Sequence, residues 1–354
     1  MSHVVFLRPD LNYSGATQRT IGTALALLEA GSRVTFITRG GSRSAAAAAH
    51  GIEIRPFELA PGRLGRPFLR RRLADLLVEL KATSVHVSAA DLAALGPVVA
   101  RVTRRLGLPY VLEATRPIDR EVEFDSALLR AVIVPAETLA EPLINHGRLP
   151  RELIVVLPGA PPDESSDARP HAPLGHTGPA VIGCTGSFDE GFDGEWFLEA
   201  ARIAKQAKEP WRFVMLGEGP KERALRRRAR EAGLTSSVTI GVPTTDTALS
   251  TLRSLDIHVS CRTDTGPGWL ALQTMRLGIP GLFAAAGEAF TLIKDQHNGI
   301  LIQPGDARRL ADEIASLIAN PERARALGEA GRRTSFERSP RTAFNAKICE
   351  LHGL

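Results

Sequence analysis

The sequence predicts an α/β protein built from two Rossmann-like parallel-sheet domains. Short apolar runs alternate with longer amphipathic stretches through the first half, and the same alternation starts again after residue 179. Between the two halves, residues 157–179 concentrate proline, glycine and polar side chains and contain too few apolar residues for a helix or strand. A chain of 354 residues also favours two cores, since single cores stop growing at roughly 250 to 300 residues.

The first half follows a strand, loop, helix, strand order. Residues 3–8 (HVVFLR) predict a buried strand, residues 10–17 a polar loop, and the next stretch a helix that ends on Gly31. The alanine run at 45–49 predicts the end of a helix. Repeated units of this kind are typical of a parallel sheet covered by helices. Further strands are predicted at residues 33–38, 52–57, 84–88, 110–114 and 131–137.

The second half repeats the pattern. Pro220 is expected to open a helix, Asp306 to cap another, and the pair Asn320-Pro321 to break the long helical end of the chain. Strands are predicted at residues 180–186, 211–219, 238–242, 256–261 and 281–286, with a further strand before Asp306. The predicted divisions are an N-terminal domain at 1–160, a linker at 161–178, a C-terminal domain at 179–335 and a C-terminal helix at 336–354 that returns to the first domain.

Composition excludes several classes of protein. No stretch approaches the roughly 18 apolar residues that a membrane span needs, and the N-terminus does not look like a secretory signal, so we predict a cytoplasmic location. With 5% aromatic residues, we predict no nucleic-acid binding. The nine histidines show no metal spacing, and we predict no metal. Three widely spaced cysteines are predicted to be reduced thiols: Cys184, Cys261 and Cys349.

The net charge of +5 comes almost wholly from arginine. Guanidinium groups suit phosphates and anionic surfaces, although a general arginine bias explains the charge equally well. Residues 61–81 combine arginines with apolar residues at helical spacing. This segment predicts either a peripheral contact with anionic lipid or a solvated helix over the sheet.

Several short stretches carry a family resemblance through their order and spacing. They are LGEGP (216–220), GVPTTDTALSTLRSLDIHVSC (241–261), MRLGIP (275–280), NGILIQPGD (298–306) and the helix at 310–333. Together they resemble the family-four glycosyltransferases of GT-B architecture, in which two Rossmann-like domains face a central cleft. In the first half, SGAT (14–17) looks like the family's glycine-bearing loop, and VVLPGAPPD (155–163) like its domain-joining turn. The resemblance implies retaining transfer of a glycosyl group from a nucleotide-sugar donor in the C-terminal domain to an acceptor on the N-terminal domain, without a metal or other cofactor.

The loop TGPGW (265–269) is the main candidate for the donor phosphates. Gly266 and Gly268 precede a helical stretch, and a glycine-lined helix N-terminus offers unpaired N–H groups to a phosphate. Pro267 removes one of these N–H donors. A tight turn without a ligand is the alternative interpretation.

Several residues that the resemblance calls for are replaced. Its paired glutamates fall at Thr265 and Gln273, and Asp264 could substitute for the first if the loop shifts. Its diphosphate-binding arginine and lysine fall at Ser187 and Glu190. We therefore expect the diphosphate to meet the carboxylates of residues 189 and 190, each like-charge contact costing about 4 kcal/mol at a surface-like dielectric.

Another replacement lies in the first domain. The family commonly places a histidine at the end of the strand at 110–114, where this chain has Glu113, followed by Arg116. An arginine there could supply charge from the opposite wall of the cleft, or be a surface residue after a strand.

The resulting prediction is a glycosyltransferase-like enzyme with an atypical donor site. The acceptor is expected to be a small molecule, a glycan or a lipid. One alternative is a non-catalytic protein that partners another glycosyltransferase, and another is an enzyme whose activated donor is less anionic than a nucleoside diphosphate. The predicted catalytic residues are Gly15, Glu113, Arg116 and Asp264; the predicted donor contacts are Ala16, Gly186, Ser187, Glu190, Gly217, Gly219, Val242, Thr265, Gly266, Pro267, Gly268, Trp269 and Gln273.

Overall fold

The computed structural model describes residues 2–59, 66–89, 91–118, 126–161, 174, 178–242 and 248–354. Most of the predicted linker at 161–178 therefore lies outside the described residues. The chain divides into two compact units. The first comprises Met1–Asn12, Arg19–Gly159 and Arg341–Leu354, and the second comprises Tyr13–Gln18 and Ala160–Pro340.

In the part of the first unit that is described, seven parallel strands form one sheet in the order β3-β2-β1-β4-β5-β6-β7. The strand at residues 3–7, inside the sheet, has the apolar sequence expected of a parallel strand covered on both faces, since Val4, Val5, Phe6 and Leu7 are fully buried. The strands are β1 (His3–Leu7), β2 (Arg33–Thr38), β3 (Glu53–Pro56), β4 (Ser84–Ala89), β5 (Tyr110–Ala114), β6 (Leu129–Val134) and β7 (Ile154–Val156). The last strand was not predicted, because two of its three residues fall in the stretch at 155–163 assigned to the domain-joining turn.

The first helix starts earlier than predicted. The hydroxyl of Ser14 accepts a hydrogen bond from the N–H of Thr17 at 3.0 Å, which satisfies a first-turn donor and lets α1 run from Gly15 to Glu29. The predicted loop at 10–17 is correspondingly shorter. The other helices up to residue 145 are α2 (Ser44–Ala49), α3 (Arg66–Glu79), α4 (Leu92–Leu106) and α5 (Ala140–Asn145).

Helix α3 contains the described part of the basic amphipathic segment. Leu69, Leu73 and Leu77 are buried, so one face of the helix packs onto the first unit's core. Phe68 is 66% exposed, and the guanidinium of Arg72 lies 5.6 Å from the centre of its ring. Residues 61–65 of the predicted segment lie outside the described residues.

The second unit contains a parallel sheet in the order β10-β9-β8-β11-β12-β13, counted over the described residues. Its strands are β8 (Val181–Ser187), β9 (Arg212–Glu218), β10 (Val238–Gly241), β11 (Ile257–Ser260), β12 (Gly281–Ala284) and β13 (Ile300–Ile302). Both sheets are parallel in every described pairing, which confirms the predicted α/β class with two Rossmann-like domains.

The helices of the second unit largely follow the sequence prediction. Asp306 caps α11 by accepting the N–H of Arg309 at 2.9 Å, and Asn320 separates α11 from α12. Pro220 does not open a helix, because it lies in a turn and α7 begins at Glu222. The helices are α6 (Gly194–Gln206), α7 (Glu222–Glu231), α8 (Ala248–Arg253), α9 (Gly268–Arg276), α10 (Ala289–Leu292), α11 (Ala307–Ala319) and α12 (Pro321–Arg338).

The C-terminal helix α13 (Arg341–His352) belongs to the first unit. Arg341 forms an ion pair with Glu29 at 2.6 Å, and Phe344 is buried. Its last residue, His352, contacts Ser84 at 2.8 Å and the ring nitrogen of His86 at 3.1 Å. Burial and the neighbouring charges of His86 and Arg130 lower the pKa of His352 well below its ordinary value.

Helix α9 ends on a buried arginine that binds backbone carbonyls. The guanidinium of Arg276 donates to the carbonyls of Pro161 and Ser339, the latter at 2.6 Å, and lies 4.5 Å from the ring centre of Phe336. These contacts fasten one end of α9 to the segments where the second unit begins and ends. Among the described helices, none is both long and apolar enough to cross a membrane.

Candidate functional site

The candidate site lies at the carboxyl ends of the second unit's central strands. From β8 the chain continues to β9 and β10 on one side of the sheet, and then crosses to β11 on the other side of β8. Open α/β sheets bind ligands at such a reversal of strand order, outside the carboxyl ends of the strands. The loops that follow β8 and β11 are therefore the first candidates, and they hold most of the sequence-predicted donor residues.

Backbone contacts join these two loops. Phe192 and Arg262 form an antiparallel bridge, and the N–H of Thr263 donates to the carbonyl of Gly191 at 2.9 Å. A Cβ on Gly191 would lie 2.1 Å from a carboxylate oxygen of Asp264, so this contact requires glycine. The loops after β8 and β11 thus form one continuous edge.

An ion cluster crosses the same edge. Arg262 donates from Nε and Nη2 to the two oxygens of Asp264, at 2.7 and 2.8 Å, and lies 3.1 Å from Asp189. Burial opposes ionisation of Arg262, but the two carboxylates together raise its pKa above the ordinary value. Burial likewise opposes the charge of Asp264, whose pKa is nevertheless lowered by Arg262 and by the N–H of Thr265. The cluster is stable in its charged form.

The two carboxylates on the loop after β8 each pair with a cation from another loop. Asp189, which is buried, is paired with Arg262 rather than presented to a ligand. Glu190 is 91% exposed and lies 3.4 Å from the ammonium of Lys221. Both carboxylates thus have a cation partner, and the expectation that a diphosphate would meet them stays a prediction. Sequence reasoning missed both cations because their partners lie 73 and 31 residues away.

The two ion pairs differ in energy. The Arg262–Asp189 pair has side-chain exposures of 18% and 9%, and removing one partner from a well-buried pair costs about 3–5 kcal/mol. The Lys221–Glu190 pair is open to water, and exposed pairs of this kind contribute about 0–1 kcal/mol. Arg262 is therefore held in place by its carboxylates, whereas Lys221 is held weakly.

The glycine loop leads directly into α9. Gly266 adopts a φ of +95°, and a Cβ there would lie 2.7 Å from the backbone nitrogen of Glu288. Only glycine combines that backbone conformation with so close an approach. The helix starts at Gly268, which is exposed, and its first N–H groups have no partners within the helix. This end of α9 has the geometry and dipole of an anion site.

The two positions expected to carry glutamates are both half-buried. Gln273 lies within α9, and Thr265 lies in the loop before it. The structure gives Asp264 a different setting from the one considered in the sequence, because Arg262 binds both of its oxygens. The backbone N–H of Glu288, on the adjoining turn, donates to the carbonyl of Thr265 at 3.4 Å, while its carboxylate accepts a hydrogen bond from the Thr291 hydroxyl at 2.8 Å.

Three of the predicted donor glycines pack against protein. A Cβ on Gly217 would lie 2.0 Å from the carbonyl of Gly186, and one on Gly219 would lie 2.6 Å from the carbonyl of Phe188. Gly186 is itself close to the ring of Phe192. These glycines hold the loops after β8 and β9 in contact. Ser187 is the last residue of β8 and is half-buried.

The segment Tyr13–Gln18 clusters with the second unit. Tyr13 packs with Trp269 and Leu270 of α9 and with Val242, and its N–H donates to the carboxylate of Glu218. Gly15 lies beside Trp269, since a Cβ added at Gly15 would be at van der Waals distance, 3.6 Å, from the Trp269 Cβ. The predicted residues Gly15, Val242 and Trp269 are thus brought together, and Ala16 follows Gly15 in the first turn of α1.

Two other predicted catalytic residues lie in the first unit. Glu113 is fully buried, where its carboxylate accepts a hydrogen bond from Arg19 and lies 3.7 Å from His86. Burial would raise the pKa of Glu113, but Arg19 and His86 lower it well below the ordinary range. These contacts favour a positioning role for Glu113 over contact with substrate. Arg116 is half-buried, two residues beyond β5.

A solved structure matches the whole fold. Anabaena Alr3699/HepE in complex with UDP-glucose has a TM-score of 0.77, 18% identity and coverage of 100% of both chains. Two parallel-sheet domains of this kind make the fold that of GT-B glycosyltransferases.

Sequence comparisons concern the second half of the chain. The family profile described as "Glycosyl transferases group 1" matches residues 172–334. The putative glycosyltransferase EpsD of Bacillus subtilis is 29% identical over 139 residues, 39% of this chain and 36% of that protein. The GDP-mannose-dependent alpha-(1-6)-phosphatidylinositol monomannoside mannosyltransferase of Mycolicibacterium smegmatis is 25% identical over 147 residues, 39% of this chain and 38% of that protein. The chain thus spans less than two-fifths of the length of these relatives. The matches support a group 1 glycosyltransferase relationship for the second half.

Proposed function

We propose that this protein transfers a glycosyl group from a nucleotide-sugar donor bound at the second unit's central loops. One observation carries the proposal. The N-terminus of α9, preceded by the left-handed Gly266, lies at the carboxyl edge of the parallel sheet and within the residues that the group 1 profile matches. A helix N-terminus in that position binds phosphate through backbone N–H groups and the helix dipole.

The proposed donor contacts follow from this placement. The N–H groups of Gly268 and Trp269 bind the donor phosphates, while Thr265 and Gln273 hydrogen-bond the sugar and the ribose. A glutamine offers both a donor and an acceptor to ribose hydroxyls. Gly15 and Ala16, at the start of α1, supply further backbone contacts. Arg116 is proposed to offset leaving-group charge.

We propose that transfer retains the anomeric configuration and needs no metal. The chain itself supplies compensation for the leaving diphosphate, through the α9 N-terminus and the cations of the adjoining loops. Electrostatic stabilisation of this kind is usually the largest catalytic term. The acceptor is proposed to be a glycan, a lipid or a small molecule; one curated relative is named for action on phosphatidylinositol monomannoside.

Donor binding is tested by thermal unfolding. A ligand that binds only the folded state stabilises it by RT ln(1 + [L]/Kd), about 2.7 kcal/mol at 100 times Kd. UDP, GDP, UDP-glucose and GDP-mannose, each at millimolar concentration, form the panel. At least one nucleotide is expected to raise the melting temperature, and the absence of any shift would reject the proposal.

Turnover is tested separately from binding. The protein is incubated with the stabilising nucleotide sugar and with lipid or glycan acceptors, while release of the nucleoside diphosphate is measured. The product's anomeric configuration, read by NMR, tests retention. Binding without release for any acceptor would support the non-catalytic alternative instead.

A further inference from the structure

The loops after β8 and β9 are packed backbone against backbone. Lys221, three residues beyond β9, donates its N–H to the carbonyl of Phe188 at 2.9 Å. The close approach of Gly219 to the same carbonyl leaves no room for a side chain there. The position of Lys221 relative to the loop after β8 is therefore set by the backbone.

The ammonium of Lys221 lies over that loop. Its Nζ donates to the carbonyl of Glu190 at 3.3 Å and lies 3.4 Å from the Glu190 carboxylate. The next residue, Gly191, is packed against Asp264 of the loop that leads into α9. Lys221 thus contacts the loop after β8, and that loop contacts the loop that leads into α9.

Two described cations reach the loop after β8, and they differ in how readily they can change partners. Arg262 has three of its nitrogens engaged by Asp264 and Asp189, and its departure would break ion pairs with both carboxylates, one of them buried. Lys221 has one exposed carboxylate partner, and its compact charge sits on a flexible stem. An incoming polyanion can therefore draw Lys221 away from Glu190 far more readily than it can draw Arg262 from its carboxylates.

We propose that Lys221 binds the diphosphate of the donor, and that Glu190 holds the ammonium at this loop until the donor arrives. The assignment rests on the proposed function. This would explain why a glutamate stands at position 190, where the resemblance calls for a lysine. Lys221 supplies the cation from the neighbouring loop, and Glu190 pairs with it while no donor is bound. Glu190 weakens binding, since the diphosphate must displace it. Lys221 strengthens binding, and its effect grows with the number of phosphates.

The test measures dissociation constants by calorimetry for UDP, GDP, UMP and GMP. Lys221→Gln is expected to weaken diphosphate binding about tenfold, equivalent to 1.4 kcal/mol, and monophosphate binding about two- to threefold. Glu190→Gln is expected to strengthen diphosphate binding about two- to threefold, because it removes the competing carboxylate. The charge-swapped double variant E190K/K221E should remain within about threefold of the wild-type protein.

A matched control uses an exposed lysine in the first unit. Lys347 pairs with Glu350 at 2.7 Å and is 35% exposed, close to the 33% of Lys221, and Lys347→Gln should leave nucleotide binding unchanged. Melting temperatures confirm that each variant is folded. If Lys221→Gln does not fold, the diphosphate affinities of Glu190→Gln and of E190K/K221E test the proposal.

The possible results distinguish failure of the Lys221 assignment from failure of the proposed function. Equal diphosphate affinity in wild-type and folded Lys221→Gln protein overturns the role of Lys221 while leaving the proposed function intact. An equal loss for monophosphates and diphosphates also overturns it. A wild-type protein that binds none of the four nucleotides overturns both.

Discussion

Removing the guanidinium of Arg262 should destabilise the second unit, and a second substitution should restore it. In Arg262→Met, Asp189 keeps its buried carboxylate but loses the cation 3.1 Å away, while still accepting the N–H of Gly191. A fully buried pair broken in this way costs about 3–5 kcal/mol, and we discount that to about 2–3 kcal/mol because Arg262 is 18% exposed. At about 2–4 °C per kcal/mol for a unit of this size, the melting temperature should fall by about 4–12 °C.

The assay is a double-mutant cycle read by differential scanning calorimetry. Asp189→Asn combined with Arg262→Met removes both charges, so the double variant should be more stable than Arg262→Met alone. The coupling energy is expected to be about 1–2 kcal/mol, the part of the loss that comes from the buried Asp189 carboxylate losing its ion pair with Arg262. A double variant no more stable than Arg262→Met would refute the reasoning. Nucleotide affinity should fall in Arg262→Met as well, since the ion pair joins the loops that lead into α9.

Three further expectations can be checked. Burial lowers the pKa of His258 to about 3; because the unfolded chain takes up a proton below about pH 6.5, stability should be intact above that pH and fall by about 2 kcal/mol from this site at pH 5. His258→Gln keeps a hydrogen-bond partner for Thr185 and should reduce the loss of unfolding free energy between pH 6.5 and pH 5, measured by urea unfolding at both pH values. An unchanged loss would show that His258 is not its source. Gly266→Ala should lower both stability and nucleotide affinity through its overlap with Glu288, whereas Gly305→Ala, at a φ of +86° with nothing within 4 Å, should lower stability by only about 1 kcal/mol. Under the proposed function, backbone N–H groups and chain cations meet the phosphate charge, so excess EDTA should leave the UDP affinity measured by calorimetry unchanged. A marked loss would show that a metal takes part.

The architecture could be predicted because it depends on local patterns. Buried parallel strands are near-continuous apolar runs, and the helix signals at Asp306 and Asn320 act within a few residues of their own positions. The prediction failed where the local signal was weak. The strand β7 has only three residues, and the start of α1 depends on the Ser14 hydroxyl, which the sequence could equally place in a turn.

The site could be predicted only in part. The glycine loop before α9 was found because Gly266 and Gly268 mark a helix start in the sequence itself. The charges around it were not found, because Arg262 and Lys221 meet their carboxylates only after the strands have assembled. A charge count along one loop therefore missed the two cations that pair with its carboxylates.

The anchoring of Arg276 has a mechanical consequence. The nine-residue helix that starts at the glycine loop ends on Arg276, whose guanidinium binds the carbonyls of Pro161 and Ser339. A rigid rod of two and a half turns transmits displacement from one tip to the other. Any shift of the first turn of α9 is consequently passed to the chain segments around Pro161 and Ser339.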